Sequence, residues 1–230
     1  MNSICLNLML LCFNILCPSE EQSKPVYEVE FAQNFDTNNL MSEENWEGVK
    51  AVSDFCLPWS KAYPQTTKFK ATFDDRNLYM VFYAIDSSLV IEDTISKELD
   101  IAQEDRVEVY FSQKESLKEY YCFEIDPMGR ILDYRAKFYR KFNDKWDAKS
   151  LKVESAITEY GYNVMLLVPL EEVEKMGIDV SRSFSFGIFR ADFRKVENKI
   201  EENWVSWVDP QSENPDFHSP KAFGLMNLSR

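Results

Sequence analysis

One histidine, His218, stands in a chain of 230 residues, and that single count removes most catalytic sets. A Ser-His-Asp or Cys-His machine would have to be built on this one imidazole. Multi-histidine zinc sites are excluded, and no C-x-x-C pair stands in for them. Carboxylates remain as the enzymic chemistry, and Glu108 and Glu124 are acids that a two-carboxylate glycosidase could use. Asp74 and Asp75 offer oxygen ligands suited to calcium, although the hairpin turn in which they fall already accounts for both. A net charge of −13 argues against nucleic acid, because phosphate binding needs a surface rich in Lys and Arg. What survives is a binding domain, or an enzyme that works with carboxylates alone.

The elements that must hold these residues read as short strands. Lys68 to Phe73 alternates with period two, Asp74-Asp75-Arg76-Asn77 turns, and Leu78 to Ile85 runs back as an apolar strand. Asp105 to Phe111 places Val107, Val109 and Phe111 on one face, with Arg106, Glu108 and Tyr110 on the other. Tyr121, Phe123 and Ile125 point inward in the next strand, and Tyr120, Cys122 and Glu124 point outward. With Tyr120, Glu124, Asp133 and Arg135, Glu108 could line one polar sheet face, for which a solvated face laced with ion pairs is the plain alternative. A further hairpin runs from Lys152 through Glu159-Tyr160-Gly161 to Val168. One short helix is expected after Pro169, stopped at Gly177. Apolar phase slips between Ile188 and Phe189, which predicts a bulge. Asn203 to Trp207 and Ala222 to Leu228 complete the strands.

Hydrophobic residues make up 45% and aromatics 14%, enough for a buried core rather than a disordered acidic tail. About ten strands with one or two short helices, and no linker over 26–230, predict one all-β sandwich of jelly-roll or immunoglobulin-like type. Residues 1–17 are apolar without an acid, too short for a membrane span, and read as a leader for export. A cleaved signal peptide and a lipoprotein leader with lipid on Cys17 both fit, giving a secreted, periplasmic or surface-anchored protein; any membrane contact is then through that anchor. Residues 18–25 form a polar tether. Only Cys56 and Cys122 fall in the folded part, which is no disulfide framework.

The order of several segments resembles the family 9 carbohydrate-binding modules and their DOMON-like relatives, from about Tyr27 to Leu228. Thr72-Phe73-Asp74-Asp75-Arg76-Asn77-Leu78-Tyr79-Met80-Val81-Phe82 is similar to that family's first hairpin, and Glu104 to Phe111 to its "D-x-V-E-I-F" strand. Val168-Pro169-Leu170 and Phe186-Gly187-Ile188 with Asp192 follow in order. The ending is the most specific: Ser206-Trp207-Val208-Asp209-Pro210, then Phe217-His218-Ser219-Pro220-Lys221-Ala222-Phe223-Gly224-Leu225. The resemblance implies a sandwich that grips glycan chain ends between two aromatic rings, commonly in the service of glycoside hydrolases and frequently with structural calcium.

Carried over by position, the loop aromatic is Phe217, the nearby amide Asn214 and the strand acid Glu108. The partner ring is expected near Ala102, where no aromatic stands, and an expected arginine is replaced by Glu124. Phe217 beside Asn214 suits a pyranose, whose C–H face needs a flat ring and whose hydroxyls need polar partners. Tucking under the loop as core is the alternative for Phe217. Arg190 is a further candidate for the hydroxyls, and Trp46, Trp59 or Trp146 could supply the missing ring. Trp204 and Trp207 read as structural, and His218 as a loop hydrogen-bonder. Non-catalytic binding of a polysaccharide or oligosaccharide is the leading function. A glycosidase and a haem module remain beside it, the latter with axial ligands drawn from His218, Met80, Met165 or a lysine.

Overall fold

The structure is a computed structural model that describes residues 23–230; the leader 1–17, Cys17 and most of the tether lie outside the described residues. Thirteen strands follow the chain: β1 (Val26–Glu30), β2 (Ala51–Val52), β3 (Thr67–Phe73), β4 (Asn77–Ile85), β5 (Arg106–Ser112), β6 (Tyr120–Ile125) and β7 (Ile131–Lys137). Then come β8 (Lys141–Asn143), β9 (Lys152–Thr158), β10 (Gly161–Pro169), β11 (Phe184–Val196), β12 (Lys199–Ser206) and β13 (Gly224–Ser229). The expected helix is present as Leu170–Lys175, and a second, shorter one spans Glu43–Trp46. Among the described residues no helix is long and apolar enough to cross a membrane.

Two sheets make the sandwich. The larger has the order β1-β13-β11-β5-β6-β7-β8, and the smaller β2-β3-β4-β10-β9. The long β11 serves two neighbours along one edge: β13 pairs with Phe184 to Phe186, and β12 with Phe189 to Val196. Between the sheets lie Phe69, Met80, Phe82, Val107, Val109, Phe111, Phe123, Val164, Phe184, Phe186 and Ile188, all buried. Each such side chain removes enough apolar surface to contribute about 1.5–3 kcal/mol, so the core holds without a disulfide. Cys56 and Cys122 are both free thiols.

The unbroken apolar run of β4 has a physical reason: both its faces are covered. Leu78, Met80 and Phe82 face the central core. Tyr79 and Val81 face a second cluster with Leu40 and Trp46 on the segment that precedes β2, where Phe35 stacks on Tyr79 at 3.8 Å. The turn before β4 is an Asx turn, with Asp74 Oδ1 accepting the backbone N–H groups of Arg76 at 2.7 Å and Asn77 at 2.8 Å.

Two expectations about facing need correction. The bulge predicted after Ile188 does not form, because β11 pairs with β5 in continuous register from Ser185↔Ser112 to Ala191↔Arg106. Alternation continues and the polarity inverts instead, so that Arg190 and Asp192 point inward. The second concerns β7. Ile131 pairs with Ile125, Asp133 with Phe123 and Arg135 with Tyr121, so Asp133 and Arg135 share the inner side with those residues. The outward positions, beside Glu124 and Cys122, belong to Leu132, Tyr134 and Ala136.

Candidate functional site

Strand β5 carries the site on its outer face. Period-two alternation sends Val107 and Val109 to the core and leaves Arg106, Glu108 and Tyr110 on the opposite side. The register places Glu108 directly opposite Glu124, and Tyr110 opposite Cys122. Arg106 lies between the two acids, with Nε donating to Glu124 Oε2 at 2.6 Å and Nη2 at 3.0 Å from Glu108 Oε1. The Tyr110 hydroxyl donates to Glu108 Oε2 at 2.6 Å, and the Tyr134 hydroxyl to Glu124 Oε1 at 2.6 Å. This face is not solvated. Arg106, Glu108, Tyr110 and Glu124 are each at most 5% exposed.

The cover comes from far along the chain. Phe217 lies flat on Phe189 at 4.2 Å and 14°, and Phe189 itself lies over Gly187, where an added Cβ would meet its ring at 2.5 Å. That glycine therefore sets the height of the Phe217 ring. Gly187→Ala should lift Phe189 and Phe217 together and destabilise the protein by about 1–3 kcal/mol. A melting temperature equal to that of the parent chain would refute this stacking order. Gly224 does the same for the end of the sandwich, since the Trp207 ring occupies the space its Cβ would need.

Around Phe217 stand two more rings. Trp59 is held by an isolated bridge between Cys56 and Ser206 and by its indole N–H, which donates to the Ser212 carbonyl at 2.9 Å. Its ring centre is 5.7 Å from that of Phe217. Trp204, on β12, is also 5.7 Å from Phe217, at 80°, and the Arg106 guanidinium lies 5.4 Å over it. Together with Arg106, Glu108 and Tyr110 these rings enclose a cleft of about 140 Å³, whose rim is Arg140, Pro215 and Asp216.

Of the residues expected from sequence, Glu108, Glu124 and Phe217 come together, Phe217 largely buried as a stacked ring at 6% exposure. Asn214 is exposed in the loop beside the rim residue Pro215 and does not line the cleft. Arg190 is on the far face of β11, fully buried, with ion pairs to Asp86 at 2.8 Å and Asp192 at 3.1 Å. Arg135 is part-exposed, 3.7 Å from Glu119, away from the cleft. Of the three tryptophans from irregular stretches, Trp59 reaches the site; Trp46 is buried against Leu40 and Trp146 packs on Tyr121. Trp204, read as structural, lines the cleft as well.

His218 is a loop hydrogen-bonder as expected, 3.1 Å from the Tyr120 hydroxyl and stacked on Tyr110. Burial, reinforced by the Arg140 charge, lowers its pKa to about 4, so it is neutral at ordinary pH. The residues named for haem do not share a face: His218 lies outside the large sheet, Met80 between the sheets and Met165 outside the small one.

The calcium candidates do not fit a cation. Both Asp74 oxygens already accept protein donors, Oδ2 from the Tyr79 hydroxyl at 2.7 Å, and Asp75 is paired with Arg230 at 2.7 Å. The buried cluster of Asp86, Asp105 and Asp192 has its cation in the Arg190 guanidinium.

Buried acids give the fold a pH signature. Burial, with the neighbouring Glu124 charge, pushes Glu108 up to about 8, and burial pushes Asp105 up to about 7 and Asp133 to about 6. Acids with raised folded pKa hold protons that the unfolded chain releases, so their contribution is lost as pH rises through those values. His218 has the opposite sign, because its lowered pKa favours folding as pH climbs from about 4 to its unfolded value near 6.5. Above that value only the loss remains. Between about pH 6.5 and 9, stability should fall by on the order of 2 kcal/mol, or about 4–8 °C in melting temperature. Glu108→Gln should flatten most of that slope. A melting temperature that rises over this window would contradict the assignment.

Comparison with known proteins agrees with this architecture. No curated protein matches the chain. Among solved structures, a Bacteroides uniformis protein to which carbohydrate binding is ascribed superposes with a TM-score of 0.71, at 14% identity, over 90% of this chain and 100% of that one. A family 9 carbohydrate-binding module from Caldicellulosiruptor kristjanssonii, in complex with glucose, has a TM-score of 0.61 at 13% identity over 89% of this chain and 96% of that one. The same description holds for such a module in complex with cellotriose, at 0.59, 12%, 89% and 93%. Identities this low show a shared fold. The family itself is shown by the sequence match over residues 39–230: the chain belongs to the carbohydrate family 9 binding domain-like proteins.

Proposed function

We propose that the cleft over β5 holds one sugar ring, at or near the end of a glucose- or xylose-type oligosaccharide, and does not cleave it. The observation that carries this is Glu108 Oε1. It is buried at the wall that Glu108 gives the cleft and receives no hydrogen bond in line, its 3.0 Å contact with Arg106 being an ion pair. A carboxyl oxygen left in that state among three aromatic rings suits a sugar hydroxyl as donor, with the C–H face of the pyranose against Trp59 or Trp204. The glucose and cellotriose complexes of modules with this fold support the ligand class.

Hydrolysis finds no support in the geometry. A glycosidase needs its two carboxyl groups on either side of the scissile bond. Here the space between Glu108 and Glu124 holds the Tyr110 hydroxyl, 2.6 and 3.2 Å from them, and the Arg106 guanidinium. In this reading the protein binds glycan and leaves its cleavage to a separate hydrolase. Export and display of many copies, with Cys17 as anchor, would raise a modest affinity by avidity.

Isothermal titration of the purified chain with glucose, xylose, cellotriose and xylotriose tests this reading, beside a reducing-sugar assay on the same mixtures. Binding of at least one sugar without release of reducing ends is the expected result. Failure of all four to bind, or release of reducing ends, overturns it.

A further inference from the structure

Three large rings are exposed on one hairpin beside the cleft: Phe138, Tyr139 and Phe142 are 47%, 54% and 48% exposed. They occupy the turn from β7 into the edge strand β8. Phe142 pairs with Ala136, which faces outward with Tyr134, so the ring lies on the cleft side of the sheet, 5.4 Å from Tyr134 and edge-on to it. Between Tyr139 at the turn and Phe142 on β8 stands Arg140, with a left-handed φ of 52° that costs a non-glycine residue strain. Its guanidinium is ion-paired to Asp216 at 3.0 Å and sits 5.5 Å over the Phe142 ring. Arg140 and Asp216 both line the cleft. The Tyr139 phenol points its O–H at the same carboxylate, which as acceptor and negative charge raises the phenol's pKa.

One end of the cleft is therefore bordered by a charge pair whose arginine belongs to the hairpin with the exposed rings. Contiguous exposed rings on an edge hairpin mark an interaction surface, because elsewhere such edges are protected against self-pairing. Their spacing with Arg140 and Asp216 repeats the chemistry of the cleft: flat rings for C–H faces, charged groups for hydroxyls.

From this continuity we infer that the β7–β8 hairpin is a second sugar subsite, in which Tyr139 and Phe142 form the platform for the units that follow the ring held in the cleft. The inference rests on the reading of the cleft as a sugar site. A chain seated in the cleft leaves it past Arg140 and Asp216, and its next rings meet the hairpin. Oligosaccharides should consequently bind more tightly than the corresponding monosaccharide, by roughly five- to tenfold for one added ring contact.

The test measures the affinity of the full chain for glucose and cellotetraose, and for xylose and xylotetraose, in the parent protein and in the Tyr139→Ala, Phe142→Ala double variant. The melting temperature of both proteins is recorded. The expected result is a four-unit sugar preferred by the parent, a preference falling to about one in the variant, and an unchanged affinity for the monosaccharide. A preference that survives in the variant, or its absence in the parent, overturns the subsite while the cleft stands. Loss of monosaccharide affinity in a variant that still melts like the parent would move these rings into the first site and also overturn it. A parent that binds none of the four sugars removes the reading of the cleft, and the subsite with it. Dimerisation abolished by the variant, with the preference for the longer sugar intact, would assign the hairpin to self-association.

Discussion

Replacing Arg190 by methionine is expected to lower stability by about 3–5 kcal/mol, the usual cost of removing one partner from a buried ionic cluster. For a chain of this length that corresponds to about 6–20 °C in melting temperature. The guanidinium is fully buried and donates to Asp86 Oδ2 at 2.8 Å, Asp192 Oδ1 at 3.1 Å and Thr67 Oγ1 at 3.1 Å, beneath the Tyr162 ring. Asp105 completes the acidic cluster, its oxygens accepting the backbone N–H groups of Val90 and Phe193. Without Arg190 three carboxylates face one another with only the part-exposed Arg194, 3.4 Å from Asp192, as a neighbouring cation. Sugar affinity of the protein that still folds should not change, because Arg190 points to the inner side of β11, while the cleft lies on the outer side, where Phe189 supports the Phe217 ring. Adding Asp86→Asn and Asp192→Asn to the methionine variant should recover part of the loss. A single variant that melts like the parent and yet no longer binds sugar would return Arg190 to the ligand site.

The case of Arg190 shows what strand periodicity can and cannot carry. An inward arginine and an outward phenylalanine look like a phase slip when apolar is equated with inward. The rule fails here because both faces of β11 are buried, one against the opposite sheet and the other under the loop that holds Phe217. Polar residues can then occupy the inner row at the sandwich end, provided that they neutralise one another. The β5 and β6 strands, by contrast, were legible residue by residue: Val107, Val109, Phe111, Tyr121, Phe123 and Ile125 are all in the central core. The hairpins either side of Asp74 and Gly161 were equally clear, since their turn chemistry is local.

The site was half legible for a related reason. Period two puts Glu108 and Glu124 on one face, and the register makes them opposite neighbours. Which partners come with them depends on the number of residues in the turn from β6 to β7, and that number gives Tyr134 rather than Asp133 and Arg135. The rings that cover the face arrive from sequence positions far apart: Trp59 through its hydrogen bond to Ser212, and Trp204 through the pairing of β12 with β11. No local pattern encodes such an encounter. A tryptophan in an irregular stretch with no apolar period to explain it was the only signal for Trp59. Trp204 sits in an ordinary strand pattern and carried none.

The second large effect separates the rings of the cleft by what each supports. Trp59 is half-buried and hangs on one hydrogen bond at the cleft wall, so Trp59→Ala should leave the melting temperature nearly unchanged and weaken sugar binding about tenfold or more, combining lost ring contact with lost area. Phe217 is stacked on Phe189 and 6% exposed, so Phe217→Ala opens a hole against that ring. It should cost about 3 kcal/mol of stability at the same time as it weakens binding. Glu108→Gln keeps the shape but offers an amide N–H₂ donor in place of one acceptor oxygen, and should lower affinity by roughly three- to tenfold, the worth of one neutral hydrogen bond. Titration calorimetry and thermal denaturation on the three variants read both quantities. The decisive comparison is Trp59 against Phe217: a ligand gripped by the exposed wall predicts a pure affinity loss for the first and a mixed loss for the second. Parent-like affinity in Trp59→Ala would remove that wall from the site and leave Trp204, with the Arg106 guanidinium behind it, as the ring on which the sugar stacks.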